Sequence, residues 1–202
     1  MTDTTSRLRL FRDRLENLMG GRDDLRPFVC DGSPYECTAF VVGINPASRG
    51  SFWPFWNDDA GFDRSAWLCA YKAQRGAEPL MPGRIRRQSL SSTRQRIDWI
   101  VAAAESVKIL ETNLYGLPTP AASDLGPEHR DATVFEFLLS EIKPHVLLLH
   151  GKEVRPHFER RFGCHRTGEF PKVEINGRAV RVAFPATLAS RWMPGLFPER
   201  VG

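Results

Sequence analysis

Hydrophobic positions along the chain switch repeatedly between helical and strand spacing. Leu8, Phe11, Leu15, Leu18 and Met19 recur at helical intervals, and Gly20-Gly21 closes the pattern as a C-cap would, predicting an amphipathic helix over 6–19 on the outside of the domain. The run 39–44 is continuously apolar, β-branched and aromatic, the signature of a strand buried on both faces. A helix is predicted over about 64–74, and another over 94–105, capped by Ser92 or Thr93 and facing inward with Ile97, Ile100 and Val101. A short strand over 107–110 ends at Glu111-Thr112-Asn113. Asp131 or Thr133 caps a helix over 134–142 that Pro144 stops, the strand 146–149 follows, and Gly151 opens a helix to about 162. Asn176-Gly177 between the runs 172–175 and 178–184 is a strong hairpin signal. Strand, loop and helix repeated three times predict an α/β fold with a mainly parallel sheet. The connections are a loop over 27–35, with a turn at Asp31-Gly32-Ser33-Pro34, an irregular aromatic stretch over 45–63, and an exposed excursion over 75–88.

Composition narrows this picture. A chain of 202 residues is most simply one domain, and 42% hydrophobic with 26% charged residues is the balance of a soluble globular protein. The longest apolar run, 146–149, is far too short to span a bilayer, and the N-terminus lacks the apolar core of a signal peptide, so the expected compartment is the cytoplasm, with no membrane partner. Cys30, Cys37, Cys69 and Cys164 form no C-x-x-C pair, which favours free buried thiols over zinc or iron–sulfur sites. The formal charge of +4 conceals an excess of arginine over lysine, with Arg84, Arg86, Arg87, Arg94 and Arg96 in one short window. Arginine forks suit a polyanionic partner, although a solvated arginine-rich face accounts equally for the charge.

Ligands of parallel α/β sheets collect at the carboxyl ends of the strands. Asn45, Asn113 and His150 therefore converge on one crevice, and the segment after Phe184 supplies a fourth wall. An asparagine side chain carries an acceptor and two donors but no useful basicity, so Asn45 can orient a water or read a heterocycle's edge. A loop asparagine capping a nearby turn is the plainer alternative. Phe52, Trp53, Phe55 and Trp56 form either a lid over the core or a stacking platform for a nucleobase. A histidine at a strand tip, such as His150, is more often structural than catalytic.

Val41-Val42-Gly43-Ile44-Asn45-Pro46, then Trp53-Pro54-Phe55, then Trp67, Tyr71 and Ala73, resemble the uracil-DNA glycosylase superfamily, in particular the branch of mismatch-specific uracil and thymine DNA glycosylases. Thr112-Asn113-Leu114 with Pro118-Thr119 is similar to the family's central loop, and Glu141-Ile142-Lys143-Pro144 leading into Leu147-Leu148-Leu149-His150-Gly151-Lys152 resembles its third strand and turn. The resemblance covers roughly 38–192 and leaves an N-terminal extension, 1–30, outside. It implies a three-layer α/β/α sandwich with a mainly parallel sheet of about four strands and a base pocket at the strand tips.

Residue by residue, the resemblance implies that Gly43, Ile44 and Pro46 shape the pocket, Asn45 holds the water that attacks the sugar, Phe55 stacks on the flipped base and Asn113 hydrogen-bonds its edge. It also implies that Thr187, Leu188, Ser190 and Arg191 meet DNA, Leu188 as wedge and Arg191 as phosphate clamp. The implied partner is DNA carrying uracil or another damaged base, bound by a monomer without metal or organic cofactor. The chain departs from the pattern where the family has His-Pro-Ser or Asn-Pro-Ser: here Phe184-Pro185-Ala186 stands instead. Phenylalanine cannot donate to a departing base, leaving His150 or the backbone amides of 186–188 as donors. The expected function is thus hydrolysis of an N-glycosidic bond. The alternatives are a non-catalytic nucleic-acid or modified-base binding module on the same fold, and a hydrolase of small nucleosides or nucleotides.

Overall fold

Leu8, Phe11, Leu15 and Met19 on the first helix, α1 (Thr2–Met19), are each no more than 2% exposed, whereas Leu18 faces solvent. The computed structural model describes residues 2–80, 83, 85, 88–163 and 170–184. After α1 come β1 (Phe28–Val29), β2 (Ala39–Gly43), the small hairpin β3 (Trp56–Asn57) and β4 (Gly61–Phe62), α2 (Arg64–Ala77), α3 (Ser92–Ala103) and β5 (Ile109–Asn113). Then follow α4 (Thr133–Ile142), β6 (Val146–Leu149), α5 (Val154–Phe162), β7 (Lys172–Ile175) and β8 (Arg178–Ala183). The fold is α/β.

The main sheet has six strands in the order β1-β5-β2-β6-β8-β7. The pairs β5–β2, β2–β6 and β6–β8 run parallel, and an antiparallel strand closes each edge, so the sheet is larger than the sequence predicts. The extra edge strand β1 is two residues long and carries no periodicity. It joins the sheet through long-range contacts, Phe28 opposite Thr112 and the Thr112 hydroxyl donating to the Pro27 carbonyl at 2.7 Å.

Helices cover both faces of β2. Phe40 and Val42 share a buried cluster with α1, α4 and α5 side chains, while Val41 on the other face meets Ile97 of α3. The chain leaves β2 for β5 on one side and later returns past it to β6 on the other. The carboxyl end of β2 is therefore a topological switch point, where ligands of such sheets bind.

Several boundaries differ from those predicted. β5 runs on through Glu111, Thr112 and Asn113 instead of ending at Leu110, because the polar side chains of Glu111 and Thr112 are paired inside the fold. Ser91, not Ser92 or Thr93, caps α3, its hydroxyl accepting from the Arg94 amide at 3.2 Å. α4 has Ala132 at its N-cap, while the Asp131 carboxylate accepts from the Thr133 amide at 2.8 Å one residue further on. α5 begins at Val154 because Gly151 has φ +101°, a left-handed conformation incompatible with the first turn of a helix. At the hairpin, Asn176 (φ 51°) and Gly177 (φ 73°) adopt the two positive φ values of a type I′ turn.

The aromatic stretch 45–63 folds into one turn of 3-10 helix and the β3–β4 hairpin, and much of it is core. Phe52 and Phe62 stack at 5.0 Å and are 1% and 2% exposed, and Trp56 stacks on Phe11 at 5.8 Å. The thiols are also not uniformly buried: Cys30 and Cys37 are, Cys69 is exposed on α2, and Cys164 lies outside the described residues. Among the described residues no helix is long and apolar enough to cross a membrane.

Candidate functional site

The three strand tips meet. β2 ends at Gly43, opposite Asn113 of β5, and the His150 amide donates to the Val42 carbonyl at 2.9 Å, bringing the end of β6 alongside. The loop after β5 is pinned to the loop after β2 by three backbone bonds: Leu114 to Gly43, Tyr115 to Ile44 and Thr119 to Pro46. A Cβ on Gly43 would lie 2.7 Å from Asn113 Oδ1 and 3.0 Å from His150 Nε2, so both side chains fold across the bare backbone of Gly43.

A cavity of about 540 Å³ opens over these tips, within the range of small-molecule sites. Ile44, Asn45, Asn113, His150 and Gly151 line it together with Thr119, Tyr71, Arg26, Arg94 and Glu111. Asn45 is held by one end: Nδ2 donates to Thr119 Oγ1 at 2.6 Å and faces the Thr119 and Pro46 carbonyls at 3.3 Å. Three acceptors around one end identify it as the amide nitrogen, which leaves the carbonyl Oδ1 available to accept from a water. Burial, aided by the nearby Arg94 charge and opposed by Glu111, pushes His150 down to about 4. At neutral pH its imidazole is uncharged, with one N–H donor and one acceptor.

Beneath the cavity lies an ionic network that the sequence hid. Glu111 points from the middle of β5 toward α3, where Arg94 Nη2 bonds one carboxylate oxygen and Arg64 Nε lies 3.4 Å from the other. Arg64 Nη2 also reaches Asp98 at 2.5 Å. Arg94 is 7% exposed, so the arginine-rich window is not one solvated face. Burial opposes the Arg94 charge, but Glu111 and Asp98 outweigh it and raise the pKa. Arg84, Arg86 and Arg87 lie outside the described residues.

Phe55 does not line this cavity. It packs against Phe62 at 6.1 Å and lines a neighbouring space of about 210 Å³, which shares Ser48, Tyr71 and Gln74 with the larger one. The aromatic residue on the main cavity is Tyr71, stacked on Trp67 at 5.6 Å. Pro46 is buried beneath the loop rather than on the cavity wall. Phe184 is partly buried against the core with the Arg155 guanidinium 5.5 Å from its ring, and Thr187, Leu188, Ser190 and Arg191 lie outside the described residues.

Sequence reasoning missed Arg26, Arg94 and Glu111 as parts of the site. The available signal was a glutamate inside an otherwise buried strand, which requires a cationic partner. Among the described residues no cluster of three or more His, Cys, Asp or Glu side chains is arranged to hold a metal ion. No protein-family model matches the chain, and no curated protein matches it significantly.

Proposed function

We propose that the chain is a DNA glycosylase or glycosylase-like enzyme built on the three-layer plan of the uracil-DNA glycosylase superfamily, acting on a flipped uracil or related damaged base. The observation that carries this is the meeting of Asn113 and a neutral His150 over Gly43, beside an Asn45 whose acceptor end is free. Asn45 Oδ1 accepts a hydrogen from a water and aims its oxygen at the sugar's anomeric carbon. The water oxygen bonds to that carbon as the glycosidic bond breaks with its electron pair leaving on the base, and the proton released by the water ends on the departed base. Asn113, with a donor and an acceptor on one side chain, reads the base edge. The His150 N–H donates to the oxygen where the base develops charge, taking over the role that Phe184 cannot fill. A donor of this kind is worth roughly a hundredfold in rate. Tyr71, rather than Phe55, is the aromatic face nearest the base.

The test is release of base from uracil-, thymine-mismatch- and hypoxanthine-containing oligonucleotides, read as alkali-labile strand breaks at high enzyme concentration. Wild-type protein cleaves at least one of them and Asn45→Ala reduces cleavage to background. No cleavage of any substrate would sink the enzymatic reading, and full activity in Asn45→Ala would remove that residue from the mechanism.

Phe184 favours one competing reading, a non-catalytic nucleic-acid or modified-base binding module. Its ring packs on the core under Arg155 where the family places a polar side chain. Salt-dependent binding of uracil-containing or abasic DNA without turnover is the result that selects it.

A further inference from the structure

The strand-tip cavity is lined by three arginines, Arg26, Arg75 and Arg94, and two glutamates, Glu78 and Glu111. Arg64 and Arg94 are matched by Asp98 and Glu111 in a closed network of two cations and two anions. Arg26 stands outside it. Its Nη1 donates to the Ser48 hydroxyl at 2.5 Å, and among the described residues no carboxylate lies within ion-pair distance of it, although the Glu111 charge is felt there. A guanidinium carries five N–H donors, so most of those on Arg26 are unused on the cavity wall. Arg94 stays inside the network: its buried Nη1 makes no hydrogen bond among the described residues but lies 3.7 Å from Asp98 Oδ1. Both guanidiniums lie near the ring of Trp67, at 5.6 Å and 5.1 Å from its centre. Burial and the proximity of Arg94, opposed by Glu111 and Tyr71, push Arg26 down to about 10, which still leaves it protonated at neutral pH.

Two like charges side by side in a partly dry cavity, one of them in no ion pair among the described residues, are costly unless an anion arrives. We infer that the cavity binds a nucleotide through its phosphate, with Arg26 as the phosphate receptor, the positive charge of Arg94 close behind it, and Asn45 and Asn113 at the base end. This rests on the reading of the cavity as a nucleobase site. The planar guanidinium fork matches phosphate oxygens in a bidentate way. Ser48, which holds Arg26, is three residues beyond Asn45 on the same loop, so the anion and base ends fall within reach of one ligand. The phosphate belongs either to a free nucleotide or to a strand containing the flipped nucleotide.

Equilibrium binding, followed by the fluorescence of Trp67 and its neighbours, compares deoxyuridine, deoxyuridine 5′-monophosphate and a uracil-containing trinucleotide. The wild-type protein is expected to bind the monophosphate or the trinucleotide at least ~10-fold more tightly than the nucleoside, the scale of a hydrogen bond to a charged group. Arg26→Gln should erase that preference while leaving deoxyuridine affinity in place, which also shows that the variant is folded. Arg26→Lys, the milder change, should keep only part of it because it retains charge without the fork. Preference for the monophosphate identifies a free nucleotide as the source, and preference for the trinucleotide a strand phosphate.

Equal affinity for nucleoside and phosphate-bearing ligands in the wild type, or an undiminished preference in Arg26→Gln and Arg26→Lys, overturns the inference. The glycosylase reading fails separately. Absence of base release together with an Arg26-dependent phosphate preference sinks the enzyme and keeps the subsite. Base release with no phosphate preference does the reverse.

Discussion

At the scale of single residues, Gly43 is bare because two other side chains need its space: Asn113 Oδ1 and His150 Nε2 would lie 2.7 Å and 3.0 Å from any Cβ there. Gly43→Ala should therefore force both tips outward. Misplacement of reacting groups by an ångström costs up to about a hundredfold in rate, while overpacking costs about 1–3 kcal/mol of stability. The variant is expected to lose most ligand binding or base release while still unfolding cooperatively in urea, which separates a site effect from collapse of the fold. His150 makes a pH prediction of definite sign. Its folded pKa of about 4 lies below its ordinary 6.5, because burial disfavours the charged ring. In the window between those values the unfolded chain binds the extra proton, so stability falls as pH drops through it. Urea midpoints measured on either side of the window should fall on acidification in the wild type and fall less in His150→Gln. The same group stays neutral above the window, so it introduces no activity step near pH 7.

At the scale of elements, β2, β6 and the β7–β8 hairpin were legible because their signals are local: unbroken apolar runs and an Asn-Gly turn. β5 was misplaced for the opposite reason. Its Glu111 and Thr112 look like a polar loop in one dimension and become strand residues only when Arg94, Arg64 and the Pro27 carbonyl satisfy them. That dependence is measurable. Glu111→Ala leaves two buried arginines sharing the single carboxylate of Asp98, a loss of about 3–5 kcal/mol, visible as a lower denaturation midpoint. An unchanged midpoint would show that solvent already screens the network. The aromatic stretch followed the same logic: its spacing allows lid, platform or core, and packing put Phe52 and Phe62 in the core and Phe55 beside a second cavity.

Across the whole molecule, α1 belongs to the main core although the family resemblance begins at about residue 38. Phe11 is fully buried and lies 5.4–6.0 Å from the rings of Phe28, Tyr35, Trp56 and Phe137, which tie α1 to β1, the β3 segment and α4. Phe11→Ala should cost about 3–5 kcal/mol and lower the midpoint of one cooperative transition; a separate early transition would mean that α1 is an independent appendage. The sequence by itself determined the α/β class, the strands β2 and β6 at the switch point, and the three polar residues at the strand tips, because hydrophobic period and turn chemistry are local properties. Only the tertiary structure decided which end of Asn45 is free, through Thr119 some 74 residues away, and that Phe55 faces another cavity. It alone set Arg26 beside the network of Arg64, Arg94, Asp98 and Glu111 with no ion pair of its own among the described residues. Those features arise from side chains distant in sequence competing for the same hydrogen bonds, charges and space, and no local pattern encodes the outcome of that competition.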